Sequence, residues 1–162
     1  IPIGICYDLT KAFDSINHDL LLRKLSNVGI QGPRLEWFRS YLLNRPCRVV
    51  SDQWKSEVIH CNVGVPQGSI LGPVLFLLYI NDLGDDRFTL FADDTSVRCA
   101  VDTPNEIAPT ISSVNTEMIS WSTANGLTVN SSKTAILVFK KGNCRKVISS
   151  DSSINAAEAT KF

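Results

Sequence analysis

Two β-permissive runs, residues 88–92 and 95–100, are separated only by Asp93 and Asp94, and a two-residue loop of turn-forming type joins antiparallel neighbours in a tight hairpin. The chain is thereby committed to an antiparallel ladder with two adjacent carboxylates at its tip. A third apolar run, residues 1–9, ends as a strand at Asp8, which puts that carboxylate at a strand end.

Between these runs lie helical signals. Asn17 caps a helix through Val28, with Leu21, Leu22, Leu25 and Val28 at helical spacing and Gly29 as its stop. Pro33 opens a second helix to about Leu43, and residues 48–51 and 57–61 read as a hairpin around Asp52-Gln53. After the loop Gly64-Val65-Pro66-Gln67-Gly68, a helix over residues 73–83 is apolar nearly all round and is expected to be buried. Thr103-Pro104-Asn105-Glu106 is a capping box; the helix it starts carries Ile107, Ile111, Val114, Met118 and Trp121 on one face and ends at Gly126. Pro109 is expected to cost that helix one turn of regularity. Residues 134–139 and 145–149 are further strands, and the Ser/Ala-rich tail after Ser150 stays unassigned. Helices mixed with hairpins predict an α+β fold, an antiparallel sheet backed by helices, rather than a doubly wound parallel sheet.

Composition narrows the function classes. A chain of 162 residues, 44% apolar and 20% charged, suits a globular domain and excludes disordered and fibrous classes. Its longest nearly apolar stretch, residues 70–80, contains Gly72 and Pro73 and is shorter than the ~20 residues that span a bilayer, so no membrane partner is expected. Five cysteines without C-x-x-C spacing suggest neither a disulfide framework nor a zinc knuckle, and favour a reducing intracellular compartment. Sixteen basic and sixteen acidic residues balance, which is unlike a self-sufficient nucleic-acid binder. Ile1 is no initiator and opens directly on an apolar strand; the chain reads as a segment cut at its N-terminus and also at Phe162.

Two enzyme motifs fail. In Gly68-Ser69-Ile70-Leu71-Gly72 the serine stands one place early for a nucleophile elbow, and no phosphate-binding Walker loop exists. His18 and His60 lack a Cys or His at ligand spacing. Carboxylates remain. Asp93 and Asp94 are also what a tight turn favours, yet adjacent anions repel unless a cation lies between them. If the strand ending at Asp8 lies beside their hairpin, three carboxylates converge in a hard-oxygen site suited to Mg²⁺. Spacing alone leaves that adjacency open.

Asp8-Leu9-Thr10-Lys11-Ala12-Phe13-Asp14, Gly64-Val65-Pro66-Gln67-Gly68-Ser69 and Phe91-Ala92-Asp93-Asp94 stand in the order of reverse transcriptase motifs A, B and C. Gly126-Leu127-Thr128-Val129-Asn130-Ser131-Ser132-Lys133-Thr134 resembles motif D, and Thr160-Lys161-Phe162 resembles the start of the primer-contacting motif. Nearly the whole chain thus resembles a reverse transcriptase domain of the non-LTR retrotransposon type. Phe91-Ala92 departs from the Tyr-Met of retroviral enzymes and is similar to the non-LTR and group II intron branch.

The resemblance implies a right-hand polymerase palm over about residues 1–16 and 62–150, with part of the fingers over about 17–61. It further implies that Asp8, Asp93 and Asp94 bind two catalytic Mg²⁺ ions, Mn²⁺ being a possible substitute, and that the ions activate the primer 3′-hydroxyl and hold the triphosphate. Backbone N–H groups of Leu9, Thr10, Lys11, Ala12 and Phe13 would face that triphosphate. Phe13 resembles the ring that excludes a ribose 2′-hydroxyl; apart from the resemblance it reads as an ordinary core Phe. Gln67 and Gly68 resemble residues under the incoming nucleotide and template base, although Pro-Gln-Gly is also a plain turn. Lys133 resembles a lysine that protonates pyrophosphate, or is a solvated surface lysine. Asp14 reads as structural. Lys140-Lys141 and Arg145-Lys146 read as a solvated basic face, with contact to primer backbone as the other reading.

Implied partners are an RNA template, a DNA primer, deoxynucleoside triphosphates, and the remaining fingers and thumb of a parent polyprotein. The resemblance implies that those parts carry the basic residues, which would account for the neutral charge, and little polymerase activity is expected of the isolated chain. Action in the nucleus is the family expectation, with no localisation signal visible. The competing readings are another palm polymerase, either group II intron maturase-like or an RNA-dependent RNA polymerase, and a non-catalytic domesticated nucleic-acid-binding fragment.

Overall fold

The computed structural model describes residues 1–92, 94–140 and 143–148, with backbone only for Lys140 and residues 143–148. Asp93, the tail after Ser150, the Thr160-Lys161-Phe162 motif and the side chains of Lys140, Lys141, Arg145 and Lys146 lie outside the described residues. Two compact units are formed, Ile1–Thr10 with the chain from Asp82 onward, and Lys11–Asn81.

The first unit is built on an antiparallel sheet. Its strands are β1 (Pro2–Asp8), β6 (Phe88–Phe91), β7 (Asp94–Ala100), β8 (Ala135–Lys140) and β9 (Asn143–Ile148), in the order β6-β7-β1-β8-β9. Alternation along β1 sorts its side chains between faces. Ile3, Ile5 and Tyr7 are buried, with Val97, Ile136 and Val138 from the neighbouring strands, while Gly4, Cys6 and Asp8 take the opposite, more open face. Helix α4 (Ile107–Ala124) contributes Ile107, Ile111, Val114 and Met118 to the core. It is tied down by Tyr7, whose hydroxyl donates to Asn115 Oδ1 at 2.5 Å, and by Arg87, which bridges Asp85 and Glu117 at 2.8 and 2.9 Å.

The expected capping box is not closed: Thr103 Oγ1 donates to Glu106 Oε1 at 2.8 Å and Glu106 Oε2 accepts from Asp102 N, while the Thr103 side chain makes no bond to the helix backbone. Pro104–Glu106 forms a 3₁₀ turn before the α-helix proper. Pro109 costs no turn, contrary to expectation. It is the third residue of α4, where a missing N–H has no intrahelical acceptor to lose. Trp121 is only half-buried, donating from Nε1 to Asp82 Oδ1, and Ser122 is buried in its stead.

The second unit holds α1 (His18–Asn27), α2 (Pro33–Leu42) and α3 (Leu71–Ile80). Asn17 Oδ1 accepts from Leu20 N at 3.0 Å, the cap that its sequence position promised. Leu21, Leu25, Leu75, Phe76, Tyr79 and Ile80 are buried between α1 and α3, and Lys24 Nζ donates to the Tyr79 carbonyl at 2.6 Å. Helix α3 begins two residues before the expected start and ends three before the expected end. Ser69 Oγ accepts from Gly72 N at 3.0 Å and so starts the helix ahead of Pro73. The hairpin around Asp52-Gln53 also differs in its bounds, since β3 (Val50–Ser51) pairs β4 (Trp54–Lys55) while β2 (Arg45–Cys47) pairs β5 (Ile59–Cys61), leaving Glu57 outside any strand. Among the described residues no helix is long and apolar enough to cross a membrane.

Candidate active site

The adjacency that spacing left open is present. β1 and β7 are antiparallel neighbours, and their last pair in register is Asp8 with Asp94. Opposed residues in such a ladder hold their Cβ atoms about 4.5–5.5 Å apart, so two carboxylates share one end of the open sheet face. The hairpin differs in one respect from expectation. Phe91 pairs Asp94, so Asp94 belongs to the ladder rather than to the turn. Ala92 takes the left-handed conformation, φ 52°, that a tight hairpin loop demands.

Lys133 is the one cation paired with Asp8 among the described residues, its Nζ lying 3.5 Å from Asp8 Oδ1. That places the expected motif D lysine at the carboxylate cluster. The segment carrying it is fastened to β1: Asn130 N donates to the Asp8 carbonyl, Thr10 N donates to the Thr128 carbonyl, both at 2.8 Å, and Leu9 bridges Val129. The Thr10 N–H is therefore already satisfied, which removes it from the five expected to face a triphosphate. Leu9 is buried.

Lys11, Ala12, Phe13, Gln67 and Gly68 belong to the second unit. Lys11 has φ 47° and leads into a 3₁₀ turn, Ala12–Asp14, with Ala12 buried. The Phe13 ring stacks on Phe76 with centroids 4.5 Å apart, so a packing role is real whatever else it does. The glycine loop is latched to this turn by backbone bonds, Val65 N to the Phe13 carbonyl at 2.9 Å and Gly64 N to the Ile16 carbonyl at 2.8 Å. Gln67 Nε2 donates to Asp14 Oδ1 at 2.8 Å, in keeping with a structural Asp14. Gly68 is exposed with φ 81° and open space where a Cβ would stand.

Sequence reasoning missed two members of the latch. His18 is buried, and its Nε2 is 2.7 Å from the Gly64 carbonyl. Gly64 has φ 78°, and a Cβ there would lie 2.8 Å from the Asp14 carbonyl oxygen. The signal was available in part, for a glycine opening a Pro-Gly loop suggests positive φ.

The donor set fits a hard divalent cation. Asp8 and Asp94 offer oxygen ligands from facing strands, and no ion pair to Asp94 exists among the described residues. No cluster of three metal-ligating side chains occurs among the described residues, Asp93 being outside them.

The family model for reverse transcriptase (RNA-dependent DNA polymerase) matches residues 2–159. The RNA-directed DNA polymerase from mobile element jockey of Drosophila funebris is 27% identical over 153 residues, covering 84% of this chain and 16% of the relative. A probable RNA-directed DNA polymerase from transposon BS of Drosophila melanogaster is 31% identical over 142 residues, covering 81% and 16%. The chain thus spans about a sixth of the length of these relatives. Among solved structures, apo telomerase from Candida tropicalis superposes with a TM-score of 0.66 at 15% identity, over 87% of this chain and 31% of that one. Telomerase from Candida albicans, in complex with a fragment of telomeric RNA, gives 0.65, over 88% and 27%. These two show the polymerase palm fold. With the match to the family model running almost end to end, the chain belongs to the reverse transcriptase family, among the polymerases of non-LTR mobile elements.

Proposed function

We propose that this chain is the catalytic core of an RNA-directed DNA polymerase that extends a DNA primer on an RNA template during retrotransposition. The observation that carries the reading is the pairing of Asp8 with Asp94 at the end of an open sheet face in a reverse transcriptase domain. In this reading residues 1–16 and 62–150 are palm and 17–61 belong to the fingers. Priming at chromosomal DNA, and hence nuclear action, is part of the same proposal.

Asp8, Asp93 and Asp94 would hold two divalent cations, Mg²⁺ with Mn²⁺ as a substitute, and such ions would supply acidification of the primer 3′-hydroxyl and charge stabilisation of the departing pyrophosphate. The residues themselves position and neutralise, since phosphoryl transfer leaves little covalent work to a protein. Lys133, already beside Asp8, gives a proton to the leaving pyrophosphate. N–H groups of Lys11, Ala12 and Phe13 begin a short 3₁₀ turn, lack intrahelical acceptors, and face the triphosphate. The Phe13 ring, braced by Phe76, crowds a 2′-hydroxyl, and Gln67 with Gly68 supports the nascent base pair.

The test is nucleotide choice on an RNA template, in a polymerase that continues this segment into its flanking sequence. Wild type should incorporate deoxynucleotides, and Phe13→Ala should raise ribonucleotide use by at least about tenfold, the scale of one removed steric contact. Equal use of both sugars by wild type would favour an RNA polymerase. Primer–template binding without extension would favour the non-catalytic reading.

A further inference from the structure

We propose that Cys47 and Cys61 form a reactive dithiol, which a low-molecular-weight disulfide converts into an intramolecular disulfide. The two residues lie fourteen positions apart without a redox motif between them, and folding brings them together. β2 and β5 pair so that Arg45 opposes Cys61 and Cys47 opposes Ile59, which sets the two cysteines diagonally across one short ladder. Cys61 Sγ donates to Cys47 Sγ at 2.9 Å. A disulfide needs about 2.0 Å, so closure asks for a sulfur displacement of under about 1 Å. Both thiols are free and half-buried. Cys6 and Cys99 have no thiol partner among the described residues.

Arg45 supplies the activation. Its Nη1 is buried without a hydrogen-bond acceptor among the described residues, and its guanidinium acts on both thiols. Hydrogen bonds from Cys61 and from Arg45 pull the Cys47 thiol below its ordinary value, while donation to Cys47 holds the Cys61 thiol above. Because Cys61 Sγ donates its hydrogen bond to Cys47 Sγ, Cys47 is the attacking sulfur and Cys61 the resolving one. Cys47 thiolate attacks one sulfur of a disulfide R–S–S–R, forming Cys47–S–S–R and releasing R–S⁻. Cys61, losing its proton to that R–S⁻, then attacks Cys47 Sγ and expels the second R–S⁻, which takes a proton from water. The protein dithiol is oxidised by two electrons and R–S–S–R is reduced to two R–SH.

The experiment treats the folded chain with oxidised glutathione, alkylates remaining thiols and maps linked peptides by mass spectrometry, after circular dichroism has verified folding. The Cys47–Cys61 linked peptide should exceed any other pairing by about tenfold, because among the described residues only these two sulfurs lie in contact. Cys61→Ser should trap glutathione on Cys47, whereas Cys47→Ser should leave Cys61 largely unmodified. In denaturant the preference should vanish. Native pairing no more selective than the denatured control, or stable glutathione adducts on Cys47 in the wild type, would overturn the proposal.

Discussion

Asp8 and Asp94 oppose each other in the β1–β7 ladder, two like charges at the same end of neighbouring strands. Such a pair destabilises a sheet by about 0.2–1 kcal/mol relative to a neutral one, and Lys133 offsets the charge of Asp8 alone. Asp94→Asn should therefore raise stability by about 0.5 kcal/mol, read as a higher urea midpoint with unchanged slope. A lower midpoint would mean that the carboxylates are not in repulsion.

Lys133 gives a contrasting pair of outcomes. Its ion pair with Asp8 spans 3.5 Å, and the lysine side chain is 66% exposed, so Lys133→Ala should cost under about 1 kcal/mol of stability. Primer extension should fall about 10²–10⁴-fold, as for loss of a general acid. A merely structural lysine would leave the rate within about tenfold of wild type.

Two glycines with nearly equal φ should respond unequally. Gly64→Ala drives a Cβ to 2.8 Å from the Asp14 carbonyl oxygen at φ 78°, whereas Gly68→Ala at φ 81° meets open space. The second should cost about 1 kcal/mol of backbone strain, and the first at least about twice that, because the latch between residues 13–16 and 64–65 must shift. Thermal midpoints of the two variants give the comparison.

Tyr7 makes stability fall in alkali. Burial, with Cys99 and Glu117 nearby, pushes its phenol well above its ordinary 10.0. The neutral phenol donates to Asn115 in the folded chain, while the unfolded chain ionises near 10. Its contribution is then full below pH 10 and is lost as pH rises beyond that value. Tyr7→Phe should flatten this loss and lower stability at pH 8 by about 1 kcal/mol or somewhat more, since Asn115 loses its donor.

Local chemistry was legible in the sequence where one residue decides it. Asn17 and Thr103 with Glu106 announce helix starts through side chains that reach backbone or each other within three positions, and Asp8 reads as a strand end. What stayed hidden depends on contacts between distant segments. The Asp8–Asp94 register needs residues 86 positions apart to meet, and no pattern within β1 specifies its neighbour. Asp favours turns, so the sequence places Asp94 in one; the pairing of Phe91 with Asp94 and the left-handed Ala92 put it in the ladder instead. The Gly64 latch and the Cys47–Cys61 contact likewise arise from folding.

Asp8 and Asp14 lie six positions apart in one motif yet hold different places, Asp8 opposite Asp94 and Asp14 bound to Gln67. The most direct test is Mg²⁺-dependent extension of a DNA primer on an RNA template, comparing Asp8→Asn with Asp14→Asn in the longer polymerase. Loss of a metal-holding carboxylate should remove several kcal/mol of transition-state stabilisation, about a thousandfold or more in rate, while Asp14→Asn should keep activity within about tenfold. Extension that survives Asp8→Asn would contradict the assignment of the paired aspartates as the catalytic centre.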